Sequence, residues 1–161
     1  IAQGQVEDRR LQRIDVHLRA LAREHPEVPR LTAIPGIGIF SALLILAEIG
    51  EIQRFPSAKQ LVGYAGLAPG LYQSGGTRQG RGITRQGSRY LRWILVEASQ
   101  HVIRHPGPLR STYLRLARGK GHGKALVAVA RKLLVGLYAV LHEGQAFAPH
   151  TEAISGARSG D

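Results

Sequence analysis

The residues best suited to chemistry lie between Leu71 and Arg92. There Tyr72 and Ser74 precede Gly75 and Gly76, and five arginines (Arg78, Arg81, Arg85, Arg89 and Arg92) fall within fifteen residues. A hydroxyl beside two glycines can be exposed and reached by a bulky substrate. Serine is a weak nucleophile at neutral pH, so attack on a phosphodiester needs cations to stabilise the pentacoordinate charge. Arginine suits that task, because its planar fork clasps phosphate oxygens and keeps its charge. Ser74 is therefore a candidate nucleophile, with Arg78 and Arg81 as transition-state clamps. Arg85, Arg89 and Arg92 are candidate contacts to a nucleic-acid backbone. Tyr72 offers a second hydroxyl, or a ring on which a base could stack. From the residues alone, a loop that grips phosphate without chemistry is the better reading, because Gly-Ser pairs are common in loops.

A second motif is Ile34-Pro35-Gly36-Ile37-Gly38, between two short helical segments. It resembles the helix-hairpin-helix, a DNA-binding element that ignores sequence. Two glycines let the backbone turn tightly and approach a ligand, and the next helix then offers free N–H groups to a phosphate. Gly36, Ile37 and Gly38 are candidate backbone contacts, with Ile34 and Ile37 anchoring the turn. Close approaches are expected at both glycines, and a positive φ at one or both. The plainer alternative is an ordinary Pro-Gly turn between helices. Lys59 is a further candidate contact.

Glu97, His101 and His105 fall at i, i+4 and i+8, a spacing that permits a metal site. No fourth ligand suggests itself and Pro106 breaks the run, so histidines facing DNA or solvent are the better reading, and no metal is expected in this chain. Without cysteine, disulfides and thiolate sites are excluded.

Charge points to the partner. The 161 residues carry a formal charge of +11. Residues 1–51 are nearly balanced, whereas residues 52–142 hold fifteen basic side chains and one carboxylate, Glu97. Such a stretch repels itself unless an anion neutralises it, and nucleic-acid backbone is the obvious polyanion. A solvated basic face is the bland alternative. No membrane association is expected: no run of roughly 20 apolar residues is evident, and no amphipathic helix pairs basic residues with Trp and Phe anchors. A bacterial cytoplasmic, nucleoid-associated location is expected.

The elements that must position these residues read as mainly α-helical. Leu11, Ile14, Leu18 and Leu21 mark an amphipathic, coiled-coil-like helix over residues 3–24. An apolar helix runs from Ile39 to Glu48 and stops at Gly50. Ser57 and Ser88 are N-caps for helices through Tyr64 and to about Arg104. Residues 66–88 form an irregular Gly/Arg-rich loop. Two further helices cover about Leu109–Arg118 and Lys124–His142. Tyr64, Trp93 and Tyr138, within apolar runs, are expected in the core, and in the helix after Ser88 so are Tyr90, Ile94 and Val96 to Ala98. Three regions follow: a connecting helix over 1–29, a helical domain over 30–143 and a flexible tail over 144–161.

Ordered runs narrow the function. Phe55-Pro56-Ser57-Ala58-Lys59-Gln60-Leu61-Val62-Gly63-Tyr64-Ala65-Gly66-Leu67-Ala68-Pro69 is followed by Gln73-Ser74-Gly75-Gly76, then Gly82-Ile83-Thr84-Arg85-Gln86-Gly87-Ser88 and Leu91-Arg92. Together with the upstream hairpin, this resembles the C-terminal domain of the DEDD insertion-sequence transposases, relatives of the pilin-gene invertases. The resemblance covers about residues 30–105. It implies that Ser74 joins covalently to DNA, and that a RuvC-like nuclease half, expected upstream of Ile1, supplies four metal-binding acids and the Mg ion. It also implies DNA as partner, a structured guide RNA in some members, and homo-oligomers of the full-length protein. The isolated chain, half of an active site, is expected to be inactive. A non-catalytic helix-hairpin-helix module that holds DNA or RNA is the main competitor, and a purely architectural oligomerisation domain a weaker one.

Overall fold

In the computed structural model, residues 2–68 and 87–148 are described; Tyr72, Ser74, Arg78, Arg81 and Arg85 lie outside them. Apolar periodicity and local caps lay out the helices. They are α1 (Ala2–Glu24), α2 (Val28–Thr32), α3 (Ile39–Ile49), α4 (Ala58–Tyr64), α5 (Arg89–Val102), α6 (Pro108–Lys120) and α7 (His122–Glu143), with a 3-10 turn at Ile52–Arg54. Among the described residues there is no strand, so the mainly helical reading holds. Ser57 and Ser88 cap α4 and α5 as expected, each side chain accepting from the backbone N–H three residues on. The short α2 is the helical segment expected before the hairpin; the 3-10 turn is an addition, too brief to leave a periodic signal.

The core is built around α7. Ala125, Leu126, Val129, Ala130, Leu133, Leu134, Leu137, Tyr138 and Val140 are all buried, so the helix is apolar around most of its circumference and packs against α4, α5 and α6. By length and composition α7 could cross a membrane, contrary to the expectation that no such run exists; here it is the central helix, and 56% of the apolar window is buried in the protein. Tyr138 meets the need of a buried hydroxyl by donating to the Phe55 carbonyl at 3.0 Å. Beyond α7 the chain folds back: Phe147 packs so closely on Gly136 that a Cβ there would lie 2.5 Å from the ring.

The stripe of α1 divides. Leu18 and Ala22 pack against the core, whereas Leu11 and Ile14 remain 63% and 55% exposed. Only the C-terminal end of the helix is therefore held by the domain.

Candidate nucleic-acid interface

Both chemical motifs meet α5, one at each end. At its C-terminal half sits the Ile34–Gly38 hairpin. The Ile37 N–H donates to the Ile34 carbonyl at 3.1 Å, and both side chains are buried, which anchors the turn. Gly36 has φ +87°, and a Cβ there would lie 2.7 Å from the Ala98 carbonyl oxygen and 3.0 Å from the His101 Cβ. The glycine is thus required twice, by its left-handed backbone and by the closeness of α5. Gly38 differs. It is the extended N-cap of α3 (φ −89°), with nothing within 4 Å of a Cβ built there. The close approaches expected at both glycines exist at Gly36 alone. Gly38 opens onto a cleft of about 520 Å³, lined also by Thr32, Pro35, Ser41, Glu97 and His101. The first turn of α3 borders this cleft, and its N–H groups carry the positive end of the helix dipole.

Glu97 and His101 line that cleft together, but α5 ends at Val102, so His105 leaves the helical register. Among the described residues no group of three or more His, Asp and Glu gathers.

At the N-terminal end of α5 the chain leaves the described region at Ala68 and returns at Gly87. Its two ends are pinned to one frame. A Cβ on Gly87 would overlap the Tyr64 carbonyl oxygen, so the returning chain lies directly on the end of α4. On the departing side, Arg131 of α7 donates through Nε to the Leu67 carbonyl at 2.8 Å. Burial lowers the pKa of this guanidinium. Gly66, at φ +67°, faces the Arg92 guanidinium, whose Nη1 would lie 3.0 Å from an added Cβ. Ser88 accepts from the Leu91 N–H and donates to the Glu48 carboxylate. The Glu48 carbonyl in turn accepts from Tyr64 Oη at 3.3 Å and Arg54 Nη2 at 3.4 Å, and the Arg54 guanidinium lies over the Phe55 and Tyr64 rings.

Lys59, Arg89 and Arg92, the remaining candidate contacts, are all exposed around this frame. Sequence reasoning missed Glu48, Arg54 and Arg131 as supports. Arg131 did carry a signal, a lone guanidinium inside the apolar run of α7. Tyr90 and Trp93, both expected in the core, are 51% and 49% exposed. Leu91, Ile94, Leu95, Ala98 and Val102 occupy the buried stripe of α5, and Trp93 falls off it.

Residues 28–115 match the family model described as Transposase IS116/IS110/IS902 family. The chain is 36% identical over 133 residues to the 43.6 kDa protein of insertion element IS110 in Streptomyces coelicolor, covering 81% of this chain and 33% of that protein. It is 31% identical over 128 residues to the transposase of insertion sequence IS1111A from Coxiella burnetii, covering 77% and 35%. The pilin gene-inverting protein of Moraxella bovis is 35% identical over 120 residues, 73% of this chain and 37% of that protein. The chain thus spans about a third of the length of these curated relatives. No solved structure matches it.

Proposed function

The chain belongs to the IS116/IS110/IS902 transposase family, and from that premise we propose that it is the DNA-binding and strand-transfer domain of a transposase, with Ser74 as nucleophile. The observation that carries this reading is the frame at the N-terminus of α5, which pins both ends of the segment bearing Ser74, Arg78, Arg81 and Arg85. Both ends of that segment therefore start from one rigid helical body. The surrounding stretch, fifteen basic residues against Glu97, favours the phosphodiester backbone.

The step is a transesterification. Ser74 Oγ loses its proton and forms a bond to phosphorus; the bond from phosphorus to one DNA oxygen breaks, and that oxygen leaves as a strand-end hydroxyl after taking up a proton. Arg78 and Arg81 stabilise the charge that accumulates on the equatorial oxygens. Arg85, Arg89, Arg92, Lys59 and the Gly36–Gly38 hairpin hold the backbone.

A divalent metal belongs to the same proposal, but its donor set is not found among the described residues. We assign its carboxylates to a RuvC-like DEDD nuclease half of the full-length protein. Homo-oligomers of the full-length protein, and a structured guide RNA, are further parts of the proposal.

The test is denaturing electrophoresis of labelled DNA after reaction with the full-length protein. Wild type should leave a covalent adduct, and Ser74→Ala should abolish it with DNA affinity nearly unchanged, since one neutral hydroxyl adds little to a charge-dominated interface. An adduct that persists in Ser74→Ala would move the nucleophile, to Tyr72 first. No adduct with wild type, beside intact binding, would favour a non-catalytic DNA-holding module. Binding itself should weaken with salt, with a slope of log K against log salt near −5 if ~6 phosphates of duplex DNA are contacted.

A further inference from the structure

We propose that the outer face of α5 is a stacking platform for unpaired nucleotides of single-stranded DNA, centred on Trp93 and Tyr90. Trp93 is 49% exposed and Tyr90 51%. Three residues apart on one helix, they share a face. Neither is needed for the core, because Leu91, Ile94, Leu95, Ala98 and Val102 fill the buried side. Two large rings left half in water on one face mark a surface made to be covered.

The chemistry of that face identifies the occupant. The Arg89 guanidinium lies 4.9 Å from the Tyr90 ring centroid, and its Nη2 donates to Tyr90 Oη at 3.0 Å. The ring is thereby oriented, and an exposed cation stands beside it. Arg92, also exposed, lies one residue from Trp93. Flat rings interleaved with arginines match a nucleic-acid strand: bases stack on the rings while phosphates meet the guanidinium groups. Duplex DNA keeps its bases stacked on one another and offers no free base face to an indole. A polyanion also complements a stretch whose only carboxylate between residues 52 and 142 is Glu97 better than an apolar protein surface would.

The proposal rests on the reading of this domain as a DNA handler, and the test separates the two. Trp93 is the sole tryptophan, so emission excited at the red edge of the absorption band, where the five tyrosines do not absorb, reports this face alone. Labelled oligothymidylate and a blunt duplex of equal length are titrated, with Trp93 fluorescence and DNA anisotropy followed together. Oligothymidylate should quench Trp93 and the duplex should leave it nearly unchanged. Trp93→Ala should weaken oligothymidylate binding about tenfold, within the range for loss of one base–aromatic stack, with duplex affinity unaltered. Trp93→Phe should restore most of the loss, which separates stacking from damage to the fold. Oligothymidylate binding with unquenched Trp93, or equal losses for both DNAs in Trp93→Ala, would overturn the platform and leave the DNA reading standing. Binding of neither DNA would overturn both. In the full-length protein, Trp93 emission is isolated by subtraction of the Trp93→Phe spectrum. Shielding from acrylamide before DNA is added would show that protein covers the face, and the platform would fall.

Discussion

The hairpin around Gly36 and the frame around Gly87 both press a glycine against a neighbouring helix, yet they use their own residues in opposite ways. In the hairpin, Ile34, Gly36 and Ile37 turn inward onto the core and α5, leaving Gly38 as the open glycine of the motif. In the frame, the holding is done by residues distant in sequence: Glu48 from α3, Tyr64 from α4 and Arg131 from α7. A motif whose residues are consumed by packing can offer little more than backbone N–H groups. The two regions therefore differ in how each is supported, one by its own residues and the other by residues distant in sequence.

Substitutions at the four critical positions can break that comparison. Gly36→Ala should have the largest effect on stability, because a left-handed backbone and the Ala98 carbonyl oxygen both oppose the new methyl. The expected loss is about 2–4 kcal/mol in chemical denaturation. A fully stable variant would mean that the turn relaxes and that its packing on α5 is not obligatory.

Gly87→Ala should come next, at roughly 1–3 kcal/mol, since only the clash with the Tyr64 carbonyl opposes it. Here adduct formation by the full-length protein should fall more than stability does, because the displaced strand carries the segment with Ser74. Equal falls in both would erase the distinction between the two regions.

Arg131→Met keeps the unbranched stem of the side chain and removes the bond to the Leu67 carbonyl. The part-buried carbonyl loses a charged donor, so a stability loss of about 1–2 kcal/mol is expected, with reduced adduct yield. The same variant should leave hairpin-dependent duplex affinity less affected than Gly38→Val does.

Gly38→Val should cost the least stability, within about 1 kcal/mol, because φ −89° suits any residue and the space around it is open. Its effect should be on DNA affinity, measured by anisotropy at fixed salt. Unchanged affinity in the folded variant would remove the hairpin from the interface.

Much of this molecule is local, and the local part was legible. Ser57 and Ser88 as caps, Gly50 as a stop and the apolar stripes of α3 and α5 all act through neighbours within a turn or two, so the order and approximate bounds of the helices follow from the sequence. The segregation of charge and the ordered runs that mark the family are equally properties of the chain itself. Trp93 shows where local reading failed: an indole among apolar neighbours was expected inside, although the periodicity of α5 already placed it off the buried stripe.

Tertiary structure alone decided which glycine faces α5 and which faces open space, since both belong to the same five residues and differ only in what packs beside them. It also brought Glu48 to Ser88 and Arg131 to Leu67, across separations of 40 and 64 residues. Those bonds depend on the angles at which α3, α4, α5 and α7 cross, and crossing angles are set by how whole surfaces interdigitate rather than by any neighbouring residue.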